Sequence, residues 1–159
     1  MRTRLLKLLE KNARYSMEEI AGLLETTPEA VAEEMDLLEN SGIINGYKTI
    51  INWDKVVPEM VEAIIELKVT PQKGSGFDKI ASDIAKLPEV RSVYLVSGGF
   101  DLAVIVRGMS MKEIALFVGE RLSTFDTVLS TATHFLLNAY KADGRILVGD
   151  TKDERVITH

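Results

Sequence analysis

The chain has 159 residues, 46% of them apolar and 27% charged, with a formal net charge of −5. This is the composition of a globular protein of one ordinary domain or two small ones, not of a disordered or fibrous chain. Cysteine is absent and the only histidines are His134 and His159, which excludes disulfides, thiol nucleophiles and an imidazole cluster for zinc.

Apolar runs such as residues 102–106 fall far short of the ~20 residues that a bilayer span needs. The opening MRTRLLKLLEK is too charged for the apolar core of a signal peptide. The expected compartment is therefore the cytoplasm, with no membrane partner. Charge is uneven along the chain: residues 1–60 carry seven Lys and Arg against eleven Asp and Glu, whereas residues 61–142 are balanced.

The first forty residues keep a helical period, with Leu5, Leu6 and Leu9, then Ile20, Leu23 and Leu24, then Val31, Met35 and Leu38. Three short helices are predicted. Ser16 followed by Glu19 reads as a capping box, and Thr27-Pro28 as an N-cap before a first-turn proline. The third helix is expected to stop at Asn40-Ser41-Gly42, where glycine can turn left-handed. The short connection 25–28 between the second and third helices has the helix-turn-helix layout.

Residues 43–52, IINGYKTIIN, change to β-branched residues around Asn45-Gly46 and predict a hairpin joining two domains. Beyond Pro58 the order becomes strand, helix, strand, strand, helix, strand. Ala63, Ile65, Leu67 and Val69 alternate with polar residues, as in a strand with one buried face. Phe77, Ile80, Ala81 and Ile84 recur at helical spacing before Pro88. Strands over 90–96 and 102–106 flank Ser97-Gly98-Gly99-Phe100-Asp101. Ser110 caps a helix with the stripe Ile114, Phe117, Val118 and Leu122, and a last strand runs over 128–137. The fold class is thus α+β: a three-helix, winged-type helix-turn-helix domain followed by a ferredoxin-like βαββαβ unit with both helices on one sheet face.

The boundaries follow as a helix-turn-helix domain at 1–44, a hairpin linker at 45–60, the βαββαβ unit at 61–140 and a tail at 141–159. In that order of elements the first and third strands are central. Continuous apolar content in 90–96, 102–106 and 133–137 leaves both sheet faces partly apolar, which predicts sheet-to-sheet pairing into a dimer. The tail, polar apart from 146–148, reads as an added strand or a loose arm.

The helix-turn-helix, the joint GIINGYKTIIN and a βαββαβ unit containing SGGFDLAVIV together resemble the Lrp/AsnC (feast/famine) transcriptional regulators and their RAM domain. The likeness runs from about Leu5 to Lys141. The resemblance implies a homodimer, often assembled into an octamer, that binds double-stranded operator DNA and responds to a small amino acid held between RAM domains.

Where typical members carry basic residues on the recognition helix, this chain has Glu33, Glu34 and Asp36. With Val31, Met35 and Leu38 inward, Glu29, Glu33, Asp36 and Asn40 form the opposite stripe. The candidate DNA-facing residues are Thr27, Glu29, Ala30, Glu33 and Glu34, with Arg4, Lys7 and Lys48 as basic contributors. Carboxylates can accept from cytosine amino groups but repel phosphates. A sensor and assembly protein with little operator recognition therefore stays open beside the regulator reading.

An amino-acid effector needs an acid for its ammonium and N–H or hydroxyl donors for its carboxylate. Asp101 supplies the acid, Gly98 and Gly99 open backbone N–H groups, and Ser130, Thr131 and Thr133 hydroxyls. By resemblance the pocket comprises Ser97, Gly98, Gly99, Phe100 and Asp101 with those last-strand residues, at a subunit interface. The alternatives are structural: a tight Gly-Gly turn, Asp101 accepting from that turn's own backbone, and threonines that merely favour strands. His134 reads as a packing or interface residue, and Trp53 as packing the two domains together. The sirohaem decarboxylases resemble the same two-domain architecture, but the joint offers only Lys48 and Lys55 for a polycarboxylate. No enzyme activity, metal or cofactor is expected.

Overall fold

The computed structural model describes residues 1–148, and the chain divides into two compact units, Met1–Thr49 and Ile50–His159. The first contains α1 (Arg2–Lys11), α2 (Met17–Leu24) and α3 (Pro28–Asn40). Leu5, Ile20, Val31 and Leu38 close its core with no exposed surface. The capping chemistry is present: Ser16 accepts from the Glu19 amide at 3.1 Å while the Glu19 carboxylate accepts from the Ser16 amide at 2.8 Å. Thr27 accepts from the Ala30 amide at 3.3 Å with Pro28 at the first helical position. Two orphan amide groups at the start of α2 and one at the start of α3 are thereby satisfied.

The joint departs from expectation. No strand forms on either side of Asn45-Gly46; residues 45–50 are irregular. The amides of Ile43 and Ile44 both donate to the Leu38 carbonyl at 3.0 Å, with Gly42 left-handed at φ +70°. The upstream arm of the expected hairpin is thus spent on ending α3. Asn45 has no positive φ, so the type I′ turn that makes Asn-Gly a hairpin signal does not form.

The second unit contains β1 (Val61–Val69), α4 (Asp78–Ala85), β2 (Val90–Leu95), β3 (Leu102–Gly108), α5 (Met111–Phe117) with a π-helical turn at Val118–Leu122, and β4 (Val128–Leu136). The antiparallel sheet has the order β2-β3-β1-β4, so β1 and β3 are central. Ala63, Ile65, Leu67 and Val69 on β1 and Leu102, Val104 and Val106 on β3 share one core with Ile80 and Ile84 of α4 and Ile114, Phe117 and Leu122 beyond it. Both helices therefore cover one face.

The opposite face carries Ile64, Ala103 and Ile105, all half-buried, among the pairs Arg107–Glu62 and Glu66–His134. It is less apolar than the strand sequences alone suggest, because each strand's second set of residues includes charged partners. A small hairpin, β5 (Lys141–Ala142) and β6 (Arg145–Ile146), turns at Asp143-Gly144 with both residues at positive φ. It forms the described part of the expected tail; residues 149–159 lie outside the described residues. Among the described residues no helix is long and apolar enough to cross a membrane.

Candidate functional site

The β2–β3 tip, the end of β1 and the start of β4 meet at one end of the sheet, since Leu67 pairs with both Leu102 and Thr131, and Val69 with Val128. β3 begins at Leu102, opposite Leu67. Past that point the Val69 amide has no β3 carbonyl to meet. The Asp101 carboxylate takes the missing carbonyl's place, accepting from the Val69 amide through Oδ2 at 2.8 Å. The Asp101 amide donates to the Leu67 carbonyl at 2.9 Å, and its carbonyl accepts from the Val96 amide at 2.8 Å. Asp101 is thus clamped at three atoms, and Oδ1 has no protein partner among the described residues.

The structural alternative, in which Asp101 accepts from its own turn, differs from what is seen in one respect: the donor to the carboxylate is the Val69 amide of the neighbouring strand. Gly98 and Gly99 are exposed, neither has a positive φ, and an added Cβ at either would meet nothing within 4 Å. A tight left-handed turn is therefore not what these glycines provide. They leave bare, accessible backbone beside the acid, with Ser97 exposed and Phe100 half-buried on either side.

Ser130 pairs with Lys68 across β4 and β1, whereas Thr131 and Thr133 pair with the buried Leu67 and Ile65. Residues directly opposite one another share a face. Thr131 and Thr133 therefore lie on the helix-covered face, and Ser130 on the open one. The structure brings Ser130 to the same end as the hairpin tip but puts Thr133 further down the sheet. His134 lies on the open face with Nε2 3.2 Å from Glu66. Trp53 sits in a 3-10 turn, Trp53–Lys55, of the second unit with Arg107 over its ring at 5.6 Å, so its observed packing is within that unit.

In the first unit Glu29, Glu33 and Asp36 are exposed on α3 and have no ion-pair partner among the described residues. Glu34 is different. Its carboxylate meets Arg2 Nε at 2.5 Å and its side chain is only 14% exposed, so it ties α3 to α1 instead of facing outward. Arg4 donates to the Leu23 carbonyl at 3.2 Å, which binds part of its guanidinium to the end of α2. Lys7 and Lys48 are exposed, Ala30 is half-buried, and Thr27 serves as the α3 cap. Tyr47 donates its hydroxyl to Glu39 at 2.7 Å. Burial, then this bond and the Glu39 charge, push the Tyr47 phenol up to about 12.

Residues 62–146, more than half of the chain, match the family described as the Lrp/AsnC ligand binding domain. The chain belongs to the Lrp/AsnC family. It is 43% identical over 156 residues to YugG of Bacillus subtilis, an uncharacterized HTH-type transcriptional regulator, covering 98% of this chain and 94% of that one. It is 27% identical over 148 residues to the leucine-responsive regulatory protein of Klebsiella pneumoniae, covering 91% and 87%.

Among solved structures, Escherichia coli AsnC shares the fold at TM-score 0.68 and 20% identity, covering 87% of this chain and 91% of that one. A Neisseria meningitidis transcriptional regulator solved as an L-Met complex shares it at TM-score 0.71 and 22% identity, covering 87% and 88%. This Lrp/AsnC protein is accordingly a transcriptional regulator with the family's ligand-binding domain and not an enzyme.

Sequence reasoning did not identify the Val69 amide as the partner of Asp101, nor Arg2 as the partner of Glu34. No local signal marks either, because both depend on elements far apart in the chain.

Proposed function

We propose that this Lrp/AsnC regulator binds a small amino acid at the β2–β3 tip and changes its occupancy of operator DNA in response. The observation that carries the reading is the Asp101 carboxylate, held in place through Oδ2 with Oδ1 uncommitted beside two glycines whose backbone is open. Oδ1 accepts the ligand's ammonium, and the 97–99 backbone amides, with Ser130, donate to its carboxylate. Leucine and L-Met, named for two relatives, indicate an apolar amino acid.

Chains pair through the open sheet face, where Ile64, Ala103 and Ile105 lose water, and pairs assemble further. Such assembly multiplies weak DNA contacts by raising effective concentration. A thermal-shift screen of the twenty amino acids tests the effector half, because a ligand that binds only the folded state raises stability by RT ln(1 + [L]/Kd). No shift with any of them at ~100 mM, several-fold above any useful affinity, removes that half.

The exposed acidic stripe Glu29, Glu33 and Asp36 favours a second reading, in which the ligand response and assembly persist without operator recognition. Titration of the protein with its own promoter at ~50 mM salt separates the two, since specific binding exceeds non-specific binding by ~10³ or more. Equal affinity for an unrelated duplex supports the second reading.

A further inference from the structure

Asparagine occurs five times in the chain, and only Asn45 is followed by glycine. The pair lies in the irregular segment after α3, with both residues exposed. Asn45 Nδ2 donates to the Gly42 carbonyl at 2.9 Å, whereas no described residue accepts from the Gly46 amide. Gly46 has φ +152°, a conformation that suits glycine, and an added Cβ there would meet nothing within 4 Å. Solvent therefore reaches the Gly46 nitrogen, and no side chain of its own stands between it and Asn45.

We infer that Asn45-Gly46 is a self-modification site, at which the chain converts an asparagine into isoaspartate or aspartate and thereby loosens the joint from the end of α3. Hydroxide takes the Gly46 amide proton, and the nitrogen attacks Asn45 Cγ. The bond from Gly46 N to Cγ forms, the bond from Cγ to Nδ2 breaks, and Nδ2 leaves as ammonia with protons from water. Water then opens the cyclic imide. Opening at Cγ gives aspartate; opening at the main-chain carbonyl carbon gives isoaspartate, whose chain runs through Cβ and Cγ. The sum is asparagine and water going to acid and ammonia, with nothing oxidised or reduced.

The other asparagines lack this combination. Asn40 is held in the last turn of α3 and precedes Ser41. Asn12 accepts from the Arg14 amide at 3.0 Å and precedes Ala13, and Asn138 also precedes an alanine. Asn52 precedes Trp53 and gives its Nδ2 to the Leu147 carbonyl at 3.0 Å. In each case the following residue carries a side chain that hinders the attack.

The consequence follows from what Asn45 holds. Its bond to Gly42 spans Ile43 and Ile44, whose amides end α3 by donating to the Leu38 carbonyl at 3.0 Å. A carboxylate has no proton to donate, so the product faces the Gly42 carbonyl with oxygen against oxygen. Isoaspartate also lengthens the main chain by a methylene between the two units. The Tyr47 hydroxyl on Glu39 is then the remaining side-chain tie of this segment to α3 among the described residues.

Full-length protein is incubated in mildly alkaline and in mildly acid buffer, peptides covering every asparagine are followed by mass, and isoaspartate is scored with an isoaspartyl methyltransferase. The expected result is an amide-to-acid mass gain at Asn45 at least tenfold faster than at any other asparagine, faster in the alkaline buffer, with isoaspartate in the product. In the converted protein and in Asn45→Asp, exchange of the Ile43 and Ile44 amides speeds up roughly two- to tenfold, as losing one neutral hydrogen bond requires. In Asn45→Gln neither the mass nor the exchange changes on incubation. An Asn45 peptide that gains no mass, an equally fast gain at another asparagine, or acid formed without isoaspartate overturns the inference. So does unaltered exchange at Ile43 and Ile44 after conversion. The reaction needs neither effector nor DNA, so failure of the effector reading leaves these outcomes as they are.

Discussion

Replacing Asp101 with alanine removes the carboxylate that stands in for a strand carbonyl and leaves the Val69 amide without an acceptor in a residue only 3% exposed. A hydrogen bond to a charged group contributes ~1.5–3 kcal/mol, and stranding a buried donor costs a similar ~1–3 kcal/mol, two views of one loss that do not add. Asp101 is itself half-buried, so a cost of ~2 kcal/mol is expected for Asp101→Ala. For a chain of this length that corresponds to a Tm lower by roughly 4–8 °C.

Asp101→Asn keeps an amide oxygen facing Val69 and loses only the charge assistance, so its cost should stay below ~1 kcal/mol. Melting is followed by Trp53 emission, which reports the second unit alone and avoids treating two units as one transition. The asparagine variant should keep the fold and lose the amino-acid thermal shift. An alanine variant that melts with the wild type, or an asparagine variant as damaged as the alanine one, would refute the account of Asp101 as a substitute strand carbonyl.

Gly98→Ala and Gly99→Ala meet open space at ordinary φ, so each should change unfolding free energy by less than ~0.5 kcal/mol while weakening the amino-acid response at the tip. A large stability loss would show that the turn itself requires glycine. Tyr47 ionises later in the folded chain, near 12 against 10.0, so its contribution is complete below pH 10 and is lost as pH rises through about 12. Spectrophotometric titration should show one of the four tyrosines ionising last, and Tyr47→Phe should remove that step. Glu33→Lys places a cation on the exposed stripe of α3 and should strengthen binding to unrelated duplex DNA, steepening its salt dependence by ~0.9 in log–log slope; an unchanged slope would mean that this face does not approach phosphate. Ser16→Ala removes the acceptor for the Glu19 amide, with an expected cost of ~0.5–2 kcal/mol confined to melting of the helical unit.

What was legible in the sequence was local chemistry. Ser16 with Glu19 and Thr27 with Pro28 marked helix starts because capping needs particular side chains at fixed spacing. Period-two and period-3.6 patterns gave the βαββαβ order, and connection rules then gave central β1 and β3. Asn45-Gly46 misled because its signal holds only if the flanking amides are free to pair, and those of Ile43 and Ile44 are committed to the Leu38 carbonyl. Glu34 is next to Glu33 in sequence yet turns to Arg2, since which flank of α3 is covered depends on where α1 packs. The bond from Asn52 Nδ2 to the Leu147 carbonyl, next to Trp53, was not legible at all, because its partners are 95 residues apart.

The strand order also bears on how the chain reaches its fold. β1 bonds to β3 and β4, never to β2, the next strand in sequence. During synthesis the helical unit can close on contacts within its own forty or so residues, but β1 must wait with both edges bare until the chain has extended past Gly108, and with one edge bare until it has passed Leu136. Through that interval its Val-Glu-Ala-Ile-Ile-Glu-Leu-Lys-Val sequence is an unpaired template for another nascent copy. The glutamates at 62 and 66 and the lysine at 68, besides facing the open side of the finished sheet, then act as charged interruptions that discourage premature pairing between chains.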